Sequence, residues 1–171
     1  MKQIVAKKIT RENFLKYGEV MNLLDDEEMA KKSVRGAGGF KPDLMTLNFG
    51  GDTLPTVCVA TVKKQDKFVI GFVENHVHTC EGVMALDNDV IIYAGVPSRS
   101  MDGSLKCDNL EAFILPVGTF VRYDPYVIHG TQYVIDAPEA HVLVMLPQRT
   151  FNNDMHAGRL DDDEKVEIVL E

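Results

Sequence analysis

An all-β fold, either a closed barrel or a two-sheet antiparallel structure, is predicted by three features of this sequence. From residue 56 onward the chain consists largely of short apolar segments that suit β-strands. Turn-forming residues separate these segments at roughly 8–12-residue intervals, and the helical patterns lie near the N-terminus. No segment recurs at a fixed period, which argues against a solenoid or a propeller.

The first 55 residues predict one strand, two short helices and a loop. Residues 4–9 suit the strand, and residues 11–17 suit a helix that ends at Gly18. Residues 25–32 suit a second helix, because its start is acidic and its end is basic, as the helix dipole favours. Glycines and a proline in residues 33–42 indicate a loop.

The remaining strands are expected to form the barrel. They are predicted at residues 56–62, 68–73, 82–86, 90–95, 111–115, 119–123, 132–135 and 141–146, with a polar loop at 97–109 and a last strand at 166–170. We therefore expect a single domain of residues 1–171. Within it, a barrel core at 56–146 follows an N-terminal region at 1–55 and precedes a C-terminal extension at 147–171.

Charge and composition exclude several classes of partner. The chain has 18 basic and 26 acidic side chains, a formal net charge of −8, and no basic cluster that would bind nucleic acid or an anionic membrane surface. No apolar run approaches the roughly 20 residues of a membrane helix. Three widely spaced cysteines without a Cys-x-x-Cys pattern fit a reducing compartment, so we expect a cytoplasmic protein.

The segment with the strongest chemical signal is residues 74–81, Glu-Asn-His-Val-His-Thr-Cys-Glu. On a β-strand, His76 and His78 leave the same face, and a bend after His78 would return Glu81 to that face. Two imidazoles and a carboxylate suit a divalent metal such as Zn²⁺, Mn²⁺, Fe²⁺ or Ni²⁺. An isolated His-x-His is also typical of a half-exposed strand with two surface histidines.

A second segment, at residues 118–129, favours a metal site over two surface histidines. It reads Gly-Thr-Phe-Val-Arg-Tyr-Asp-Pro-Tyr-Val-Ile-His and resembles the second cupin motif, Gly-x5-Pro-x-Gly-x2-His, with Pro125 one place late and Tyr126 in place of the second glycine. Residues 71–88 resemble the first cupin motif, with Asn88 in place of its final glycine. Asn tolerates the left-handed conformation that glycine would supply there.

The resemblance implies a cupin-like double-stranded β-helix, a jelly-roll barrel, with short N-terminal helices. In cupins the two motifs lie on facing strands, and their side chains converge inside the barrel. By resemblance, His76, His78, Glu81 and His129 would form a metal shell of three histidines and one carboxylate. Such a shell leaves one or two positions for a substrate oxygen.

Shorter matches are similar to the ureidoglycolate lyase family. Residues 14–20 resemble its Phe-x-x-Tyr-Gly-Asp-Val opening, residues 74–76 its Glu-Arg-His, and residues 127–129 its Val-Trp-His. These lyases are cupin-fold homodimers of allantoin breakdown that split ureidoglycolate into glyoxylate and urea. Residues 35–40 and 146–149 depart from family segments, so the scaffold of the family does not by itself define the substrate.

Lyase chemistry of this kind assigns roles to further residues. Glu74, Tyr123 and Tyr126 are the candidate general bases, although Glu74 at a strand start is equally typical of a surface carboxylate. Arginine binds carboxylates bidentately, which makes Arg35 and Arg122 candidate substrate-binding residues; Arg99 and Arg149 are further possibilities.

Two alternatives to the lyase stay open from the sequence. One is another metal-dependent cupin enzyme, of the sugar isomerase or dioxygenase type, and the other is a non-catalytic cupin that binds a small ligand. In each case we expect a small-molecule partner and a homodimer, with the strand at residues 4–9 as the exchangeable element.

Overall fold

Two β-sheets form the body of the protein in a computed structural model that describes residues 1–36, 38–99 and 105–171. The strands are β1 (Lys2–Lys8), β2 (Gly18–Asn22), β3 (Pro55–Lys63), β4 (Phe68–Ile70), β5 (Phe72–Asn75), β6 (Glu81–Ala85), β7 (Val90–Ala94), β8 (Ser98–Arg99), β9 (Leu105–Lys106), β10 (Glu111–Leu115), β11 (Thr119–Tyr123), β12 (Tyr133–Val134), β13 (Glu139–Pro147), β14 (His156–Arg159) and β15 (Val166–Val169). The helices are α1 (Arg11–Phe14), α2 (Asp26–Lys32) and α3 (Thr150–Asn153).

The two large sheets face each other across one apolar core. The six-stranded sheet has the order β12-β7-β10-β1-β15-β4, and the five-stranded sheet has the order β2-β11-β6-β13-β3. Val83 of β6, Ile92 of β7 and Phe113 of β10 are fully or almost fully buried between them. This nearly closed, mostly antiparallel arrangement confirms the predicted all-β, cupin-like barrel.

Two predicted elements differ from the structure because tertiary pairing ends them early. The first helix stops at Phe14, after a capping box between Thr10 and Asn13, since Gly18 must already pair with β11. A Cβ at Gly18 would lie 1.8 Å from the carbonyl oxygen of Arg122, so only glycine fits this strand start. The predicted strand at 68–73 is two strands, β4 and β5, which pair with different partners.

Both ends of the chain belong to the barrel. Strand β1 lies between β10 and β15 and runs parallel to both, and β15 pairs on its other side with β4. The predicted core of residues 56–146 therefore leaves out two strands of the six-stranded sheet. Within this single chain, β1 is paired along both of its edges.

The segments outside the sheets hold further short elements. The predicted loop at 97–109 contains the hairpin of β8 and β9, and its residues 100–104 lie outside the described part of the chain. Helix α3 and strand β14 are not predicted by the sequence; Arg149, the residue before α3, has a left-handed conformation, and no side chain caps the helix. Among the described residues, no helix has the length and apolar character that crossing a lipid bilayer requires.

A carboxylate on β10 joins the N-terminal elements to the barrel. Glu111 accepts a hydrogen bond from the Tyr17 hydroxyl at 2.6 Å and from Lys7 at 3.0 Å, and it also contacts the Lys16 ammonium. Desolvation opposes ionisation of Glu111, but these three donors outweigh it and lower the pKa of the carboxyl to about 2. The ionised form is thus favoured by folding.

Replacing this carboxylate by an amide should weaken the fold in a pH-dependent way. We expect Glu111→Gln to lower the free energy of unfolding at pH 7 by about 1–3 kcal/mol, since hydrogen bonds to a charged group are lost. The folded-state pKa lies below its ordinary value of 4.5, so the stabilisation is complete above that pH and disappears as the pH falls toward 2.

Urea unfolding of the wild type and Glu111→Gln at pH 7 and pH 3 tests this expectation. The exposed Glu12 of α1 provides the matched control, Glu12→Gln, which should leave stability unchanged at both pH values. A stability difference for Glu111→Gln that is as large at pH 3 as at pH 7 would contradict the assignment.

Candidate metal centre

The barrel brings His76, Glu81 and His129 together at one buried point. Glu81 Oε2 lies 3.0 Å from His76 Nε2 and 3.1 Å from His129 Nε2. The three side chains come from the end of β5, the start of β6 and the segment after β11, and each residue is at most 5% exposed. Among the described residues, their ligand atoms form the group that could hold a metal ion, all within 4.8 Å of one another.

The other nitrogen of each imidazole is already committed to a backbone carbonyl. His76 Nδ1 donates to the carbonyl oxygen of Asp154 at 2.8 Å, and His129 Nδ1 donates to that of Val127 at 2.8 Å. A carbonyl only accepts, so both Nδ1 atoms carry a proton, and in the neutral form of either ring the Nε2 lone pair would face the Glu81 carboxylate. Two lone pairs facing a carboxylate require either extra protons or a cation between them.

The charges at this point are strongly coupled. Burial alone would raise the pKa of Glu81, but the two imidazoles outweigh it and lower the pKa to about 2. Burial alone would lower the pKa of His129, whereas the Glu81 carboxylate raises it, and the net pKa is above its ordinary value. A proton on His129 is thus favoured beside the Glu81 carboxylate, and a cation that binds there would displace it.

The cluster has the dimensions and the surroundings of a transition-metal site. Ligands about 2.1 Å from a tetrahedral metal stand about 3.4 Å apart, compared with 3.0 and 3.1 Å between Glu81 and the two imidazoles, and all three ligand atoms lie within 4.8 Å of one another. Nδ1–H groups fixed by carbonyl oxygens are the outer-shell arrangement that orients histidine ligands. The donor set of two imidazoles and one carboxylate thus fits a divalent metal and leaves further coordination positions open.

His78, the predicted fourth ligand, does not join the other three residues in the structure. Strand β5 ends at Asn75, and the chain bends at Val77 and His78, so the side-chain alternation of a strand does not extend to residue 78. The His78 side chain is exposed and lines a separate cavity of about 400 Å³ with Gly50, Thr53 and Asp154.

Glu74 lies beside the cluster at the floor of a larger cavity. Glu74 forms an antiparallel bridge with His129, so the two side chains lie on the same side of the pair of strands. The cavity has a volume of about 520 Å³ and is lined by Glu74, Glu81, Gln132 and Phe151, among others. Desolvation raises the pKa of Glu74 above its ordinary value, although His129 partly opposes this effect.

The two candidate tyrosine bases are placed differently. Tyr123 pairs in register with Glu81, and its buried ring stacks on the His129 imidazole with centroids 4.7 Å apart. Burial raises the pKa of Tyr123 well above its ordinary value, so this hydroxyl stays protonated at neutral pH. Tyr126 is 52% exposed; its backbone amide donates to the carbonyl oxygen of His76, and its own carbonyl oxygen accepts from Asn75 Nδ2 at 3.0 Å.

The substitutions within the cupin motifs have different structural consequences. Tyr126, which stands in place of the motif's second glycine, adopts a φ of 72°, in the left-handed region that favours glycine. Asn88 does not adopt a positive φ, and its amide donates instead to the carbonyl oxygen of Glu139.

The predicted arginine clamps lie away from the described lining of the cavity. Arg122 alternates with Tyr123 on β11 and therefore faces outward, where it binds Glu19 at 3.1 Å and Asp124 at 2.9 Å. Arg35 and Arg149 are exposed, and the side chain of Arg99 lies outside the described residues. The cations that line the cavity are lysines, Lys63 and Lys64, at the end of β3.

Sequence reasoning missed the contribution of Asp154 and of the lysines. Asp154 is 78 residues from His76, and its segment has no motif or periodicity that would indicate a contact with the histidines. Lys63 and Lys64 read as an ordinary solvated turn, because the cavity beside them is formed by residues distant in the chain.

A comparison with solved structures gives matches at low sequence identity. Three of them are a dTDP sugar isomerase from Desulfovibrio desulfuricans (14% identity, 71% of each chain, TM-score 0.48), RmlC from Streptococcus suis in complex with dTDP-D-xylose (12%, 55% of this chain and 44% of that one, 0.38), and dTDP-4-dehydrorhamnose 3,5-epimerase from Elizabethkingia anophelis (8%, 67% and 55%, 0.38). Similarity at this level indicates nothing about substrate.

The sequence comparisons are more specific. No curated protein sequence matches the chain at a significant level. The sequence profile described as ureidoglycolate lyase matches residues 1–167, which is nearly the whole chain and includes His76, Glu81 and His129. The barrel, the buried cluster and this match together show that the chain belongs to the ureidoglycolate lyase family.

Proposed function

We propose that this protein is a metal-dependent lyase that splits the carbon–nitrogen bond of a small 2-hydroxy acid, with ureidoglycolate as the substrate and glyoxylate and urea as the products. The observation that supports this proposal best is the buried His76–Glu81–His129 cluster, which lies beside Glu74 at the floor of an open cavity. A divalent metal of the Zn, Mn, Fe or Ni type fits these donors, and when bound it would lower the pKa of the substrate hydroxyl.

In the proposed reaction, Glu74 carries out both proton transfers. Glu74 takes the proton of the substrate hydroxyl, the C–O bond becomes the C=O bond of glyoxylate, and the C–N electron pair passes to the urea nitrogen. That nitrogen then needs a proton, which the protonated Glu74 supplies, so the step is balanced without another reactant. The raised pKa of Glu74 suits a group that must both accept and return a proton.

The remaining side chains of the cavity suit a small anionic polar substrate. Lys63 and Lys64 line the cavity and would supply positive charge for the substrate carboxylate, although the Lys64 ammonium also donates to the carbonyl oxygen of Asp136 at 3.2 Å. Gln132, which is 8% exposed, also lines the cavity; its Nε2 donates to the carbonyl oxygen of Gly130 at 2.9 Å, and its amide oxygen would accept from the urea end of the substrate.

The direct test is an assay of glyoxylate and urea release from ureidoglycolate. The purified protein is stripped of metal, reloaded separately with Zn²⁺, Mn²⁺, Fe²⁺ and Ni²⁺, and compared with His76→Ala treated in the same way. We expect release by at least one loaded form and none above background from the variant. If no loaded form exceeds the variant, ureidoglycolate is not the substrate.

A second candidate function follows from the reduced ligand set. Two histidines and one carboxylate with open positions are also the donor set of non-haem iron(II) oxygenases. Substrate-dependent oxygen consumption by the Fe²⁺ form, without release of urea, would favour this alternative over the lyase.

We also propose that two copies associate along β3. This nine-residue strand is the edge of the five-stranded sheet, and its outward side chains Val57 and Val59 are 68% and 57% exposed. From Pro55 to Val62 it carries no charge of the kind that usually protects an edge strand from pairing. An antiparallel pair of β3 strands centred on Val59 would place Lys63 opposite Pro55 and so bring no like charges together.

A charge in the middle of this edge should separate the copies. We expect light scattering to give about twice the chain mass of 19.1 kDa for the wild type and a single chain mass for Val59→Lys. Leu15→Lys, at a 74% exposed apolar side chain after α1, is the matched control and should keep the dimer. A wild type that has the mass of one chain at micromolar concentration would contradict the proposal.

A further inference from the structure

Three oxygen atoms of Asp154 contact the chain around His76. Its backbone carbonyl accepts the hydrogen bond from His76 Nδ1 at 2.8 Å. Its carboxylate accepts hydrogen bonds from the backbone amides of Val77 at 3.0 Å and His78 at 2.8 Å. Asp154 is only 8% exposed, so these contacts are largely protected from competition by water.

The bend at Val77 and His78 depends on this carboxylate. Both residues follow the end of β5, so their amides have no partner in a sheet ladder and need an acceptor from elsewhere. A carboxylate supplies one oxygen to each amide in charge-assisted hydrogen bonds. Because His76 immediately precedes the bend, the orientation of its ring depends on how the bend is held.

Strand β14 in turn holds Asp154 in place. It begins two residues after Asp154 and pairs with β5, with His156 opposite Asn75 and Ala157 opposite Glu74. The amide of Asp154 also donates to the carbonyl oxygen of Thr150, the first residue of α3. Pairing on one side and the helix on the other thus fix the position of Asp154 in the chain.

We propose that Asp154 is a positioning residue for the metal centre, an inference that rests on the metal-dependent function proposed above. Its carbonyl keeps the proton of His76 on Nδ1, so that the Nε2 lone pair is available to a cation. Its carboxylate holds the bend that aims this ring at Glu81. A contact of this outer-shell kind typically changes metal affinity by roughly 10–100-fold.

The variant Asp154→Asn tests the inference, because the amide offers one acceptor oxygen and places an NH₂ group against the second backbone N–H. We expect its affinity for Co²⁺ to fall by roughly 10–100-fold and the visible absorption bands of the bound Co²⁺ to change. The matched control is Asp163→Asn, in the exposed acidic run of the same segment, which should bind Co²⁺ like the wild type.

Hydrogen exchange in the wild type provides a second measurement that needs no variant to fold. The amides of Val77 and His78 should exchange slowly in the metal-free protein. They should exchange more slowly still in the Zn²⁺-saturated protein. Rapid exchange of both amides overturns the inference, as does equal Co²⁺ affinity with identical bands in Asp154→Asn. A wild type that binds no Co²⁺ overturns the proposed metal-dependent function as well, so the two failures are distinguishable.

Discussion

Replacing His76 by alanine is expected to abolish metal binding, whereas the same replacement at His78 should leave it intact. His76 presents Nε2 to the buried cluster 3.0 Å from Glu81, and His78 is exposed in a different cavity. Loss of one ligand of three should reduce affinity well beyond the roughly 100-fold effect of an outer-shell change. Competition against a metal-binding dye measures both variants under identical conditions.

The comparison of His76→Ala with His78→Ala is stringent because the two histidines are two residues apart and the substitution is the same. Thermal unfolding of both metal-free variants checks that each is folded at the temperature of the titration. Equal loss of affinity in both variants would show that His78 is a ligand and that the bend after β5 is different in the metal-bound protein. Glyoxylate release should follow the same order, with activity retained by His78→Ala and lost in His76→Ala.

Replacing Glu74 by glutamine is expected to remove catalysis while leaving the metal in place. Glutamine keeps the size of the side chain but can neither accept the hydroxyl proton nor return it to the nitrogen. Loss of a general base at this position should lower kcat by about 10²–10⁴-fold. Metal affinity should change little, because the Glu74 carboxyl is not among the three ligand groups.

The matched control for this variant is Glu139→Gln, at an exposed carboxylate on β13. Steady-state kinetics with ureidoglycolate, together with metal content measured on the same samples, separates the two effects. A Glu74→Gln variant that retains kcat would exclude Glu74 as the base, and one that loses its metal would show a ligand or structural role instead.

The fold was predictable because its signals are local. Short apolar segments, turn residues and the absence of long helical periodicity define most strands to within a few residues, as for β10 and β11, whose bounds are those predicted. Errors occur where pairing with distant segments decides the outcome. The first helix ends early because Gly18 pairs with β11, and β14 exists only because β5 provides an edge for it.

The site was predictable in part for the same reason. The spacing of His76, Glu81 and His129 within two motifs indicates a shared metal site by resemblance, and the structure brings these three residues together. His78 was predicted from the alternation of a continuous strand, but the carboxylate of Asp154 holds the chain in a bend at that point. Arg122 was a candidate from residue type alone, and the pairing of β11 with β2 turns it toward Glu19.

By itself, the sequence determined the β-rich class, the two motifs and the residue types available for a metal. Each of these depends on neighbours along the chain, through the two-residue periodicity of strands and the conformational preferences of turn residues. Only the tertiary structure decided which side chains share a cavity. Glu74 lines the cavity beside the cluster, His78 does not, and Asp154 contacts His76. These arrangements depend on contacts between residues far apart in sequence, and no local pattern encodes such contacts.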